Sequence, residues 1–116
     1  MDYAKQRKHP RFQVKVPLEI HAEGSNTPFR CATADLSLGG CYLETMFPFP
    51  VGASLELKLQ LEGTLLLVAK VVAHYPLVGN GIQFVRILPE DLEELRAFLD
   101  TLAAQEGTQT EKNFDS

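Results

Sequence analysis

Ser54-Leu55-Glu56-Leu57-Lys58-Leu59-Gln60-Leu61 alternates polar and apolar residues without a break. Successive side chains of an extended chain point to opposite faces, so this period predicts a strand with Leu55, Leu57, Leu59 and Leu61 inward and Glu56, Lys58 and Gln60 outward. Glu62-Gly63 then turns the chain, and Leu65–Tyr75 is a long β-branched and apolar strand. Upstream, Val14, Val16, Leu18, Ile20 and Ala22 share one face opposite Lys15, Glu19 and His21. Pro17, which has no N–H to donate, marks an edge or a strand start there.

Two further short strands, roughly Phe29–Ala34 and Cys41–Thr45, are bounded by turn-forming residues. Glu23-Gly24-Ser25-Asn26-Thr27-Pro28 precedes the first, Asp35–Gly40 separates them, and Pro48-Phe49-Pro50-Val51-Gly52 follows the second. Val78-Gly79-Asn80-Gly81 reads as a hairpin turn of residues that tolerate positive φ, leading to a last strand at Gly81–Val85. The period changes at Pro89. Leu92, Leu95, Phe98, Leu99 and Leu102 recur at helical spacing, with Glu90, Asp91, Glu93, Glu94 and Asp100 largely on the opposite face. That helix is expected to end near Gln105–Gly107. Six short antiparallel strands and one C-terminal helix predict an all-β fold: a small six-stranded antiparallel barrel of Greek-key or meander type, with the helix covering an open side.

The 116 residues suffice for one domain with a single core. The organisation expected is a basic arm at 1–13, the barrel and helix at 14–104, and a disordered tail at 105–116. No apolar run approaches the ~20 residues that span a bilayer, and no secretory signal is visible, so a cytoplasmic protein without membrane insertion is expected. The first fifteen residues carry Lys5, Arg7, Lys8, Arg11 and Lys15 against Asp2, a net +4, which leaves −8 on the rest of a chain whose net charge is −4. An acidic body argues against binding to DNA or RNA, while a small anion held by a local cationic cluster remains compatible. Cys31 and Cys41 have neither zinc-ligand nor disulfide-framework spacing. His9, His21 and His74 are scattered without metal-ligand partners. No nucleophile elbow, P-loop or dinucleotide-binding glycine pattern is present, so nothing points to an enzyme.

Two polar signatures remain. Arg7-Lys8-His9-Pro10-Arg11 places two guanidiniums four residues apart in an extended arm. Each is a planar fork of donors that matches phosphate, or the O6/N7 edge of guanine, bidentately. Asp35-Leu36-Ser37-Leu38-Gly39-Gly40 supplies a carboxylate that complements the N1–H and N2–H2 donors of guanine, a hydroxyl, and two residues without side chains. The same residues also read as a solvated basic terminus and as ordinary turn formers. Spacing alone does not separate these readings; the joint occurrence favours an anionic guanine nucleotide.

In order and context, R-x-x-x-R followed by D-x-S-x-x-G resembles the PilZ domain family, as do Gly79-Asn80-Gly81-Ile82-Gln83-Phe84 and the helix led by Pro89-Glu90-Asp91. The likeness runs from about Lys5 to Leu102. It implies a six-stranded barrel that binds the bacterial second messenger cyclic di-GMP without catalysis. Arg7 and Arg11 would grip phosphates and the Hoogsteen edge of guanine, Asp35 and Ser37 would read a guanine from the barrel, and Gly40 would permit close approach. Gln6, Lys8, Gly39 and Cys41 are candidate secondary contacts. Gln6 stands where many relatives carry a further arginine, which weakens the expectation of two stacked nucleotides. The reading that follows is a receptor whose arm orders on the ligand and alters the surface seen by a downstream protein, in motility or biofilm control; the helix stripe Leu92, Leu95, Phe98, Leu99 and Leu102 is expected to pack on the core, with a partner or homodimer surface as its alternative use. The alternative is an adaptor of the same fold, in pilus or flagellar control, with no nucleotide ligand. No cofactor or metal is expected.

Overall fold

Alternation sets the inside of the molecule. The computed structural model describes residues 9–115, and side chains through Gln105. Six strands, β1 (Pro17–Ala22), β2 (Phe29–Leu36), β3 (Gly40–Glu44), β4 (Ser54–Gln60), β5 (Thr64–Tyr75) and β6 (Gly79–Ile87), precede one helix, α1 (Pro89–Asp115). All pairings are antiparallel, and the strands close into a barrel in the order β1-β2-β3-β6-β5-β4, with β4 back on β1. Leu18, Ile20, Leu55, Leu57, Leu59, Leu65, Leu67, Val71 and Ile82 fill the interior, as period two requires. Six-stranded antiparallel barrel and C-terminal helix are thus as the sequence predicts.

α1 closes one end. Leu95 and Leu99 are buried against the core, flanked by Phe98 and Leu102. Pro89 opens the helix, and Glu90 and Asp91 occupy its first turn, where the macrodipole favours negative charge. Two of the acids expected to face solvent instead serve the barrel. Asp91 Oδ2 accepts from the Leu66 N–H at 3.2 Å, and Glu94 Oε2 accepts from the Gly63 N–H at 2.8 Å. The Gly63 amide lies in the β4–β5 turn and the Leu66 amide near the start of β5, both ahead of the pairing with β6 that begins at Leu67. The helix also passes Gln105–Gly107, the point at which the sequence predicts its end; one glycine costs about 1 kcal/mol in a helix and need not stop it.

The first strand starts later than its alternation suggests. Val14–Val16 run beside β2 but bond through a side chain: Thr33 Oγ1 donates to the Val14 carbonyl and accepts from the Val16 N–H, while the Thr33 N–H donates to the Val16 carbonyl. Farther upstream, Phe12 and Leu36 exchange both backbone hydrogen bonds at 2.9 Å, and the Phe12 side chain is buried in the core. Phe12 simply extends the series Val14, Val16, Leu18, a signal the basic character of the arm conceals.

The hairpin between β5 and β6 is also displaced. Its turn is Tyr75-Pro76-Leu77-Val78, closed by the Val78 N–H on the Tyr75 carbonyl. Leu77, not a glycine, takes the positive φ, at 62°, a conformation that costs an L-residue about 1–2 kcal/mol. Gly79-Asn80-Gly81 belong to β6. Gly79 is required because a Cβ there would overlap the Leu43 carbonyl oxygen of the adjoining strand. Asn80 is fully buried, with its amide bonded to the Phe49 N–H and to the Phe49 and Ala73 carbonyls. It pins the β3–β4 loop to the barrel.

Candidate functional site: the arm and the β2–β3 turn

The bond pair at Phe12 and Leu36 lays the end of the arm along β2, next to the β2–β3 turn. This brings together one group from each of the two polar signatures. Arg11 Nη1 donates to Asp35 Oδ1 at 2.9 Å, with both side chains mostly covered. Asp35 sits just beyond an irregularity in the β2–β3 register, opposite Tyr42. Arg7, Gln6 and Lys8 lie outside the described residues.

Ser37 is buried, and its hydroxyl works inside the turn. Oγ accepts from the N–H groups of Gly39 at 3.2 Å and Gly40 at 3.1 Å and donates to the Gly40 carbonyl; the Ser37 N–H also donates to that carbonyl. As folded here, Ser37 shapes the loop that carries Asp35. A direct ligand contact would require those bonds to rearrange.

The glycines have structural reasons of their own. A Cβ on Gly40 would overlap the Ile82 carbonyl oxygen of β6, and neither Gly39 nor Gly40 adopts a positive φ. A Cβ on Gly39 would come within 3.1 Å of the His9 ring, which rests on the turn. Close approach is indeed what these residues permit, but in this structure the approaching groups are β6 and the arm. Cys41 is fully buried in the core, and burial pushes its thiol well above the ordinary range; burial pushes the half-buried Cys31 up to about 11. Both thiols are free and protonated at neutral pH.

A groove of about 170 Å³ runs beside the site between arm and helix, lined by His9, Pro10, Phe12, Leu38, Arg96 and Asp100 among others. Arg96, a helix residue that the sequence analysis does not single out, puts a cation beside His9 and Leu38 in this groove. Its position near the arm follows only from how α1 docks. No group of His, Cys, Asp or Glu among the described residues is placed to hold a metal. No helix among them is long and apolar enough to cross a membrane.

A closed six-stranded barrel with Arg11 of the R-x-x-x-R signature on Asp35 of the D-x-S-x-x-G turn defines a class of small domain. The chain matches the PilZ domain family over residues 5–101 and belongs to it. Among solved structures, Bacillus subtilis inhibitor of motility (MotI/DgrA) superposes with a TM-score of 0.74 at 19% identity, covering 86% of this chain and 52% of that one. The PilZ domain of Escherichia coli YcgR with c-di-GMP gives 0.67 at 15% identity, covering 92% and 98%. The MrkH–c-di-GMP complex of K. pneumonia gives 0.71 at 18% identity, covering 90% and 54%. These likenesses establish the fold. The chain spans about half the length of MotI and MrkH. No curated protein matches it.

Proposed function

We propose that this domain is a receptor for cyclic di-GMP, and that Arg11 and Asp35 form the heart of its site. The observation that carries the reading is the 2.9 Å contact between these two residues, which are 24 positions apart and come from the family's two separate motifs. Solved PilZ structures of YcgR and MrkH hold c-di-GMP, which supports the ligand class.

In the pair, Arg11 engages Oδ1 of Asp35; Oδ2 is the oxygen that would accept from the guanine N1–H and N2–H2 edge. Arg11 would then face the guanine O6/N7 edge or a phosphate while continuing to orient the carboxylate. Such charge-assisted, forked contacts contribute on the order of 1–3 kcal/mol each. Arg7 would supply the second fork. His9 and Phe12 are already seated on the barrel, so Phe12 would be the fixed point about which the arm closes on the ligand. Signalling follows if the ligand has a higher affinity for the closed arm than for the open one, and a downstream protein recognises the closed surface.

Titration calorimetry with cyclic di-GMP tests the reading. The wild type is expected to bind, and Arg11→Ala and Asp35→Ala each to weaken binding by tenfold or more, about 1.4 kcal/mol. A wild type that gives no heat and no change in arm protection would remove the nucleotide and favour the adaptor. Unchanged affinity in both variants would move the site elsewhere.

A further inference from the structure

Two bulges and two glycines meet on one patch of the barrel's outer wall, next to Asp35. In β2, Thr33 pairs with Leu43 but Asp35 with Tyr42, so two steps on β2 match one on β3. Such a bulge shifts the alternation of side chains by one residue. Thr33 and Leu36 are both buried in the barrel, and Asp35, which unbroken alternation would send inward with Thr33, turns out beside Tyr42. β5 has a second bulge, between Val71 and Ala73. Unbroken alternation would bury Tyr75 with Leu67, Ala69 and Val71; instead Tyr75 is 51% exposed, on the same wall as Tyr42.

Tyr42 therefore has Asp35 as its cross-strand neighbour on one side and the bare Gly81 on the other. Its ring reclines along β6. The hydroxyl stands 3.0 Å from where a Cβ on Gly79 would lie, and the ring centroid is 6.1 Å from that of Tyr75, tilted at 46°. Burial first, then Tyr75, Glu44 and Asp35, raise the Tyr42 phenol above its usual value, which keeps the ring neutral beside a phosphodiester.

Directly opposed residues on one face have Cβ atoms about 4.5–5.5 Å apart, less than the length of a purine. A guanine whose N1–H and N2–H2 edge meets the Asp35 carboxylate thus extends either away from the barrel or over Tyr42. The carboxylate fixes that edge but leaves the plane of the base free to swing. A ring held in place by Tyr75 and the glycine strip supplies the missing face.

We infer that Tyr42 is the stacking platform for the guanine that Asp35 reads, a binding residue outside both signatures, with Tyr75 as the positioning residue that steadies it. This rests on the domain being a cyclic di-GMP receptor, and adds the group that sets the plane of the base. Stacking on an aromatic ring accepts any base, so the ring orients and Asp35 selects.

Titration calorimetry with cyclic di-GMP, paired with proton NMR of the Tyr42 ring, tests the inference. In the wild type the Tyr42 ring protons are expected to shift upfield on binding, the signature of a base stacked on the ring. Tyr42→Phe should hold affinity within about twofold, while Tyr42→Thr, which keeps strand propensity, should weaken it about tenfold. Tyr75→Leu should weaken binding less and reduce the ring shift, and Tyr75→Phe should do neither. If the wild type binds but Tyr42→Thr binds as tightly, or the ring protons do not move, the platform is overturned and the receptor stands. Equal losses in Tyr42→Phe and Tyr42→Thr would overturn it too, by making the hydroxyl the contact. The ring shift is read on the wild type, so it decides the matter even if Tyr42→Thr folds poorly. A wild type that binds no cyclic di-GMP removes the receptor reading and this subsite with it.

Discussion

The two ends of this barrel are built from the same strands and could hardly differ more. At one, the β2–β3 turn, the arm and α1 converge, and a cation and a carboxylate meet over a turn knitted by the Ser37 hydroxyl. At the other, two loops without ionised residues stand on a buried amide, Asn80, and hold apolar groups in solvent. Five residues of β3 connect them, from Gly40 at the first end to Glu44 at the second. The contrast shows how a closed barrel separates tasks. Its interior is set by alternation, while each end is free to acquire its own chemistry through the residues that fasten its loops.

The contrast can be broken deliberately, beginning with the largest effect on the fold. Asn80→Ala leaves the Phe49 N–H without its acceptor and removes the amide donor from the Ala73 carbonyl, while the Phe49 carbonyl keeps its bond to His74; each buried unmet group costs about 1–3 kcal/mol. A loss of about 3 kcal/mol in urea unfolding is expected, with little change in nucleotide affinity. If affinity falls in step, the ends are not independent. Ser37→Ala removes the acceptor for two turn amides and is expected to cost about 2 kcal/mol. It should weaken nucleotide binding too, through displacement of Asp35 rather than loss of a contact, so Ser37→Thr should restore most of both.

Arg11→Ala perturbs the fold less, about 1 kcal/mol for a partly covered ion pair, yet reduces affinity by tenfold or more. A variant in which stability and affinity fell equally would mark Arg11 as a structural strut. Smallest is Leu77→Asn, which should raise stability by up to about 1 kcal/mol as the strain is relieved. Thermal unfolding measures it.

Glu19 and its neighbours offer a control away from both ends. His21, first among the causes, together with Arg30 and Lys58, holds the Glu19 carboxyl below its usual value. Its contribution is therefore present above the unfolded carboxylate range and is lost as pH falls through the lowered value. This side chain is half-buried at the barrel surface, within reach of solvent screening, so the effect should fade with added salt.

Much of this was legible from the residues. Leu55, Leu57 and Leu59 declared their strand because period two admits one inward set, and the leucines of α1 declared their stripe for the corresponding reason at 3.6. The two motifs could be located in sequence, and the resemblance supplied their common purpose. Where the reading failed, a residue was serving a neighbour remote in sequence. Gly79-Asn80-Gly81 looked like a turn because glycine and asparagine are the usual turn residues. Here the glycine admits the Leu43 carbonyl, and the asparagine ties down a loop 31 positions away. Gly40 likewise answers to Ile82, and Glu94 to the Gly63 amide.

The chain by itself determined which side chains face inward, where the barrel strands and helix lie, and which family the motifs indicate. These are local properties, fixed by alternation, capping and short spacing. Only the closed tertiary structure decided that Arg11 touches Asp35, that the Ser37 hydroxyl is turned into its own loop, and that Leu77 carries a left-handed turn beside Phe47. Each of these depends on the distance between segments far apart in sequence, which the backbone pairings of the folded barrel set.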